Sequence, residues 1–581
     1  MSTPGRKLAL AAALAIALGS ATIAAGPAAN AGNTASDKAA SKATTTEIQI
    51  LGLNDFHGAL EPPTGSAGRL GPSGTPEFGG AEYLATHVRE LRETNPNTMF
   101  VSAGDLIGAT PLISALFHDE PTIEAFNAMG LDYNGVGNHE FDEGVDELLR
   151  MQDGGCHPVD GCQDGDGFDG ASFDFLAANV AYKDSGETVF PPYAIRHFNG
   201  VKVAIVGMTT ETTPTIVTPA GISTVNFFDE ADSVNALVPV LQKQGVETFV
   251  VLLHEGGRTS TAGNGAGAGA DKINQCVNPT GAVPAIVDRM DDAIDVVVTG
   301  HTNWAVNCVL DGKIVTGAAA NGRVVTDIDL TVSRTSKDVV SARVNNVPVS
   351  RTVTKAADLT TLIDKYRTLS APLADRIVGS AAAPLTRTSN TAGESSLGDI
   401  IADAQLDATS PASLGGAVAA FMNPGGIRAD LPAGSLTYGQ LFSVQPFNNV
   451  LTVVSCTGAQ IDALLEQQFR NVPATQTTPA AVRSTVLQVS RGFTYTWNNA
   501  GPVGSRVDPA SIKINGTAIN PATNYRVTTN NFLVTGGDGF SVFTGCTNPL
   551  GGDIDLDAFV RYFEANSPVA PGLQDRITRV G

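Results

Sequence analysis

Five short polar clusters in the chain carry residues that can bind metal ions or transfer protons. Each follows a short apolar run and places histidine, aspartate or asparagine beside glycine. The clusters are Asn54-Asp55-Phe56-His57-Gly58, Gly104-Asp105, Gly137-Asn138-His139-Glu140-Phe141-Asp142, His254-Glu255-Gly256-Gly257 and Gly300-His301-Thr302-Asn303. Mixed oxygen and imidazole ligands suit borderline divalent metals such as zinc, manganese, cobalt or iron. The residue types therefore predict a metal centre.

The clusters can be divided between two metal ions. Asp105 is the best candidate for a bridging ligand, because one carboxylate has two oxygens and can hold two cations. Asp55 and His57 lie two residues apart and are expected to bind the first ion. The second ion is expected to take Asn138, His254 and His301. Two such cations can bind a phosphoryl group, activate water and stabilise an in-line displacement.

The third cluster also contains a candidate proton donor. His139 follows the ligand candidate Asn138 and is free to donate to a leaving oxygen or to a transition-state phosphate. Asp142 is expected to orient the His139 ring and to raise its pKa. Glu140 is expected to be a helix-start residue or a supporting residue. Taken alone, the cluster could be a capped helix start, but five such clusters make that alternative improbable.

The remaining histidines lack comparable surroundings and are predicted to be structural. They are His87, His118, His157 and His197.

The elements that must position these clusters are predicted to be parallel strands. Apolar runs rich in β-branched residues cover 48–53, 98–102, 133–136, 201–208, 248–253 and 294–299. Glycine turns and helical segments alternate with these runs, which is typical of an α/β domain. Ligand sites in such sheets gather at the carboxyl ends of the strands. We therefore expect the clusters to converge, and the chemistry to belong to the first half.

The N-terminal residues and the net charge of the chain indicate its location and exclude some classes of partner. Residues 1–31 have the basic start, apolar run and small-residue end of a secretory signal peptide, and 32–45 are predicted to be a flexible leader. No later segment reaches the roughly 20 apolar residues of a membrane helix. A net charge of −22 argues against a nucleic-acid or anionic-membrane partner. We expect a secreted protein, and its retention at the cell surface and its oligomeric state stay open.

Six cysteines in an exported chain predict three disulfides. The spacing favours the pairs Cys156 with Cys162, Cys276 with Cys308, and Cys456 with Cys546.

The second half has its own α/β pattern. Helical spacing over 352–370 predicts a connecting helix, and a second α/β region begins near residue 377. Helices are predicted over 396–407 and 458–469. Strands are predicted around 449–454, 491–497 and 525–529.

The ordered clusters resemble the motif series of the calcineurin-like metallophosphoesterases, in their 5′-nucleotidase/UDP-sugar hydrolase branch. The resemblance implies a four-layer α/β/β/α catalytic sandwich over 46–345, a linker helix over 350–376 and a substrate-binding α/β domain over 377–572. It also implies two divalent metal ions and hydrolysis of nucleoside 5′-phosphates. Domain rotation in this family implies a hinge near 350–378.

Three stretches of the second half are similar to the substrate motifs of that branch. They are Asn423-Pro-Gly-Gly-Ile-Arg428, Pro446-Phe447-Asn448-Asn449 and the stretch from Asn531 to Phe540. The resemblance implies that Phe447 and Phe532 sandwich a base, that Asp538 binds ribose hydroxyls, and that Arg428 with Asn423 reaches phosphate. Aromatic stacking and arginine–phosphate pairing are chemically suited to a nucleotide.

Some positions depart from the family pattern or stay open. Proline at 424 replaces a small residue and could shift Asn423. Arg387 is a candidate second phosphate contact, although it lies farther from the stretch 393–398 than the pattern implies. Asn303 is a ligand candidate whose contact is either metal or phosphate.

Other activities could use the same metals. A UDP-sugar or dinucleotide pyrophosphatase, a 2′,3′-cyclic nucleotide phosphodiesterase and an extracellular nuclease are the enzymatic alternatives. A nuclease would need a basic groove, which so acidic a chain does not indicate. A nucleotide-binding surface protein is the alternative outside enzymes, and metal-dependent turnover distinguishes the two classes.

Overall fold

The computed structural model describes residues 44–581 apart from 65–66, 72–73, 218–220, 260–269, 448 and 473–480. The predicted signal peptide, residues 32–43 of the predicted leader and Asn448 of the substrate motif lie outside the described residues. Within the described part of the chain, no helix is long and apolar enough to cross a membrane.

The first half alternates strands with helices. Its strands are β1 (Thr45–Leu53), β2 (Thr98–Ser102), β3 (Tyr133–Gly135), β4 (Asp174–Leu176), β5 (Val180–Tyr182), β6 (Tyr193–Phe198), β7 (Val201–Thr209), β8 (Val225–Phe227), β9 (Thr248–His254), β10 (Gly257–Arg258), β11 (Thr280–Gly281), β12 (Val296–Thr299), β13 (Ala305–Leu310), β14 (Lys313–Ala318), β15 (Val324–Ser333) and β16 (Val339–Pro348). The helices are α1 (Ala81–Arg92), α2 (Leu112–Ala115), α3 (Glu120–Met129), α4 (Val145–Asp153), α5 (Glu230–Gln242), α6 (Val283–Arg289) and α7 (Ala357–Ala374).

Two mainly parallel sheets pack face to face in this half. Their strand orders are β16-β15-β1-β2-β3-β4 and β13-β14-β12-β9-β7-β6. Along β1, Ile48 and Ile50 enter the core between the sheets, whereas Leu51 faces the helices. Along β9, Leu252 enters the same inner core and Val251 packs against the other helical layer. Side chains therefore alternate between the inner core and a helical layer along each strand, and both faces of each sheet are buried. The predicted four-layer α/β/β/α sandwich is confirmed.

The second half contains a further mixed sheet and its helices. Its strands are β17 (Ile377–Ala381), β18 (Ala419–Met422), β19 (Gly434–Thr437), β20 (Val450–Thr457), β21 (Phe469–Val472), β22 (Ala481–Ser484), β23 (Gln488–Val489), β24 (Phe493–Asn498), β25 (Lys513–Ile514), β26 (Thr517–Ala518), β27 (Asn524–Asn530), β28 (Thr547–Ile554) and β29 (Ile577–Val580). Its helices are α8 (Ser396–Thr409), α9 (Tyr438–Val444), α10 (Gly458–Glu466), α11 (Asn531–Val534) and α12 (Asp555–Asn566). The sheets have the orders β23-β18-β27-β20-β28 and β26-β25-β24-β29.

All three predicted disulfides are confirmed. The Cα–Cα distance is 4.7 Å for Cys156–Cys162, 5.1 Å for Cys276–Cys308 and 4.8 Å for Cys456–Cys546. The second and third bonds connect residues distant in sequence, whereas the first closes a small loop before β4.

Helix α7, predicted as a connector, packs into the catalytic half. Leu359, Ile363 and Tyr366 are fully or almost fully buried in the core that α1 and α3 also line. The Tyr366 hydroxyl oxygen lies 2.9 Å from a carboxylate oxygen of Glu124 and 2.9 Å from one of Asp164. Only residues 375–376 separate the end of α7 from β17.

Replacing Ile363 by alanine tests this packing. Ile363 is 1% exposed, so we expect the free energy of unfolding to fall by about 2–5 kcal/mol, as for other large-to-small core changes. Leu369→Ala on the same helix is the control, because Leu369 is 42% exposed and its loss should cost about 0.5 kcal/mol or less. Urea denaturation followed by tryptophan fluorescence and circular dichroism measures both. Equal effects of the two changes would contradict the packing of α7.

Candidate metal centre

The predicted ligands come together at the carboxyl ends of strands from both sheets. One group comprises Asp55, His57 and Asp105, and another comprises Asp105, His254 and His301. Within each group, one ligand atom from every residue lies within 4.8 Å of the others. Asp105 belongs to both groups, which is the arrangement expected of a bridging carboxylate.

Interatomic distances place Asp105 and Asn138 between the histidines. Asp105 Oδ2 lies 3.1 Å from His254 Nε2 and 3.7 Å from His57 Nε2. Asn138 Oδ1 lies 3.1 Å from His254 Nε2 and 2.8 Å from His301 Nδ1. Asn138 therefore joins the second group, as the sequence predicts for the second ion.

Backbone carbonyls fix the orientation of two of the histidine rings. His57 Nδ1 donates to the Gly108 carbonyl at 2.9 Å, and His254 Nδ1 donates to the Ala103 carbonyl at 2.7 Å. A carbonyl can only accept, so Nδ1 carries a proton in both rings and Nε2 faces the cluster. Burial lowers the pKa of His57 to about 3, so its Nε2 carries a lone pair. His57 Nε2 is buried and has no hydrogen-bond partner among the described residues. A buried lone pair of this kind fits a metal ligand.

Several of these ligands lie in left-handed backbone conformation. The φ angles are 49° at Asp55, 47° at His57, 53° at Asp105 and 66° at His301. Such conformations cost about 1–3 kcal/mol each for residues other than glycine, and they cluster at functional sites. The backbone conformation at these strand ends therefore orients the ligand side chains at a cost in stability.

Glu140 supports the loops and does not belong to the ligand groups. Its carboxylate accepts the backbone N–H groups of Asp105 (2.9 Å), Leu106 (2.9 Å) and Gly137 (2.8 Å). This agrees with the supporting role expected from the sequence. Burial and the charge of Asp105 raise the pKa of Glu140 to about 7, and they raise the pKa of Asp55 to the same value. Bound cations would compensate the charge of these buried carboxylates.

His139 is held beside this cluster by two carboxylates. Its Nδ1 lies 2.8 Å from Asp142 Oδ2, and its backbone N–H donates to Asp105 Oδ1 at 2.9 Å. Burial lowers the pKa of His139, but the charges of Asp142 and Asp105 outweigh burial and raise the pKa above its usual value. Gly108 packs against both side chains, since a Cβ there would lie 2.8 Å from His139 Cβ and 2.9 Å from Asp142 Oδ2.

Phe447 and Arg428, both from the second half, lie beside His139. The Phe447 ring stacks on His139, with centroids 5.7 Å apart and an interplanar angle of 18°. The Arg428 guanidinium lies 5.7 Å from the Phe447 centroid. Arg387 donates from its guanidinium to the Arg428 carbonyl at 2.7 Å. Burial and the charge of Arg387 lower the pKa of Arg428. An anion bound beside the guanidinium would raise this pKa again.

The other predicted substrate residues form a second set of contacts. Asn423 Nδ2 donates to Asp538 Oδ2 at 2.8 Å, so proline at 424 does not separate the pair. The Phe532 ring lies on Gly537, where a Cβ would be 2.5 Å from the ring. Among the described residues no ring contact joins Phe447 to Phe532, and the base sandwich stays a prediction.

Two asparagines, to which the sequence assigned no role, support the two regions. Asn530 donates to Asn423 Oδ1 at 3.0 Å, and Asn54 donates to Asp55 Oδ2 at 2.5 Å. Both are polar residues at the end of a strand, so the rule that selected the metal ligands would also have selected them. Asn303 donates to the His301 carbonyl at 3.3 Å, and its contact with metal or phosphate stays a prediction.

The chain is similar to known proteins over most of its length. Residues 48–304 match the family model of the calcineurin-like phosphoesterases, and residues 377–545 match that of the 5′-nucleotidase C-terminal domain. Endonuclease YhcR of Bacillus subtilis is 33% identical over 91% of this chain and 41% of its own length. Cell wall protein Lmo0130 of Listeria monocytogenes is 31% identical over 90% of this chain and 67% of its own length.

A solved structure shows the same overall fold. The crystal structure of a 5′-nucleotidase precursor from Thermus thermophilus superimposes with a TM-score of 0.73 at 25% identity, covering 92% of this chain and all of that one. The chain spans less than half the length of the Bacillus endonuclease, so that relative contains further sequence.

Proposed function

Since the chain belongs to the calcineurin-like phosphoesterases with a 5′-nucleotidase C-terminal domain, we propose that it hydrolyses nucleoside 5′-phosphates to nucleosides and phosphate. One observation carries the proposal. Asp105 is shared by two metal-ligand groups directly beside His139, and Arg428 and Phe447 reach the same place from the second half.

The metal ligands divide between two divalent cations, which we propose to be of the zinc, manganese, cobalt or iron type. Bound there, the cations supply Lewis-acid activation of water and of the phosphoryl oxygens. One would be held by Asp55, His57 and Asp105. The other would be held by Asp105, Asn138, His254 and His301, with Asn303 as a further candidate.

The protein residues around the cations bind the substrate and move the proton. Arg428 pairs with the phosphate, with Arg387 as the second cationic candidate. Asp142 accepts from His139 Nδ1, so that Nε2 can donate to the oxygen that leaves with the nucleoside. The charges of Asp142 and Asp105 raise the pKa of His139 above its usual value, which favours the protonated ring that an acid requires. Phe447 and Phe532 stack on the base, Asp538 binds the ribose hydroxyls, and Asn423 reaches the phosphate together with Arg428.

Substrate binding requires movement of the second half. The Phe447 ring stacks on His139 of the catalytic half, so a base can take that face of the ring only if Phe447 moves away from His139. Because α7 is packed into the catalytic half, we place the hinge in the short connection 375–376 and not along the whole predicted linker.

A second candidate activity is phosphodiester hydrolysis. The relative with 33% identity over 91% of this chain is an endonuclease, and the same ligand groups could serve that reaction. We propose an extracellular location, supported by the signal-peptide pattern and by the cell wall relative.

A substrate panel tests the proposal. The full chain is incubated with AMP, ATP, UDP-glucose, 2′,3′-cyclic AMP and single-stranded DNA, first after EDTA treatment and then with Mn²⁺ or Zn²⁺ restored. We expect phosphate release from AMP to be the fastest reaction, to stop in EDTA and to return with metal. Binding of AMP without turnover would identify a binding protein. DNA cleavage faster than AMP hydrolysis would favour the nuclease.

A further inference from the structure

A second group of histidines and carboxylates lies outside the Asp105 centre. It consists of His118, Glu143, Glu147 and His157, and one ligand atom from each lies within 4.8 Å of the others. The sequence analysis predicts both histidines to be structural, since neither stands in a metal-type motif. The structure instead brings them together from separate segments of the chain.

The contacts within this group are close. His118 Nδ1 lies 2.9 Å from Glu143 Oε2, and His118 Nε2 lies 3.0 Å from Asp160 Oδ2. The rings of His118 and His157 are stacked with centroids 3.7 Å apart and an interplanar angle of 12°. The two imidazole rings and the Glu143 carboxylate are therefore brought together in one small region.

Three elements hold the four side chains in place. His118 lies in left-handed backbone (φ 50°) between α2 and α3, and Glu147 lies in the first turn of α4. His157 is inside the loop closed by the Cys156–Cys162 disulfide. The side chains of His118 and His157 are 16% and 14% exposed, whereas that of Glu143 is 49% exposed. The group is therefore mostly enclosed but open on the side of Glu143.

We propose that His118, His157, Glu143 and Glu147 form a third metal site, which binds a zinc-type divalent cation. Two imidazole nitrogens and two carboxylate oxygens make a four-ligand set of the kind that zinc prefers, whereas calcium requires more oxygens. Because a metal lies in the plane of each imidazole that it binds, binding must tilt the two rings out of their present stack.

Neighbouring residues have the positions that support such a ligand set. Asp160 accepts from His118 Nε2 at 3.0 Å, as in carboxylate–histidine–metal arrangements, and His118 Nδ1 lies 2.9 Å from Glu143, where a cation would replace the proton between them. Glu147 also accepts from Arg150, at 2.9 Å and 2.6 Å, but a carboxylate retains further lone pairs for a cation.

The position of the site gives the cation a structural role. Glu143 immediately follows Asp142, which holds His139, and His118 immediately precedes Asp119. The buried Asp119 carboxylate accepts from the Gly108 N–H at 3.0 Å, and Gly108 packs on His139. A cation joining His118 to Glu143 would therefore fix both loops that surround the proton donor, without touching the substrate.

Zinc counting on the full chain tests the proposal. Protein dialysed against low micromolar Zn²⁺ is analysed by inductively coupled plasma mass spectrometry. We expect the double variant His118→Ala/His157→Ala to hold one zinc fewer than the wild type. His197→Ala is the matched control, because His197 is exposed on β6 and should leave the count unchanged. An equal count in the double variant and the wild type would overturn the third site.

A milder variant keeps the test decisive if the double variant does not fold. Glu143→Gln retains the shape of an exposed side chain and removes its charge. Competition with a zinc-sensitive dye should show that one zinc ion binds at least about 10-fold more weakly, as expected when the shell around a metal is disturbed. Ca²⁺ should not occupy the site in either protein. Unchanged affinity for every zinc ion in Glu143→Gln would contradict the proposal.

Discussion

Replacing Asp105 by asparagine is expected to abolish metal-dependent phosphate release from AMP and to weaken the binding of both catalytic cations. Asp105 Oδ2 lies 3.7 Å from His57 Nε2 and 3.1 Å from His254 Nε2, so it can serve both ligand groups. The change removes one negative charge and one ligand oxygen. Disturbing residues that merely support a metal ligand costs about 10- to 100-fold in affinity or activity, so loss of a shared ligand should cost more than that.

The measurement combines activity with metal content. Phosphate release is followed at saturating Mn²⁺, and bound metal is counted after dialysis. Asp174→Asn is the matched control, because it makes the same chemical change at an exposed carboxylate at the start of β4 of the same sheet. It should retain activity and both ions. An Asp105→Asn protein with wild-type activity and metal content would contradict the shared-ligand assignment.

Much of this site is predictable because its ligands are local to strand ends. Asp55 and His57 follow β1, Asp105 follows β2, and His254 ends β9, so an apolar run followed by a polar turn identifies each of them. The parallel register then brings the turns to one edge. Convergence follows from topology and needs no knowledge of side-chain packing.

Other features depend on contacts between distant segments and leave no local pattern. Strand β16 is largely exposed and its residues Ser341 to Asn346 are mostly polar, so it lacks the apolar run by which strands are recognised. The His118–His157 stack joins an interhelical turn to a disulfide loop. The contact of Phe447 with His139 depends on how the two halves of residues 46–581, which form one compact unit, are arranged.

Replacing His139 by alanine is expected to lower kcat for AMP by about 10²- to 10⁴-fold, the usual contribution of a positioned proton donor. The metal content should stay at the wild-type level, because His139 lies outside both ligand groups. His197→Ala is the control for loss of a histidine, since that side chain is exposed on β6. Retained activity in His139→Ala would exclude a catalytic role for this residue.

Comparing two leaving groups separates the two roles that His139 can have. The nucleoside oxygen released from AMP is strongly basic and needs a proton, whereas the 4-nitrophenolate released from 4-nitrophenyl phosphate does not. If His139 is the acid, as its contact with Asp142 and its raised pKa support, the variant should lose far more activity toward AMP than toward 4-nitrophenyl phosphate. Equal losses would contradict proton donation and assign His139 to stabilising the charge of the transferred phosphoryl group, since that charge is present with either leaving group.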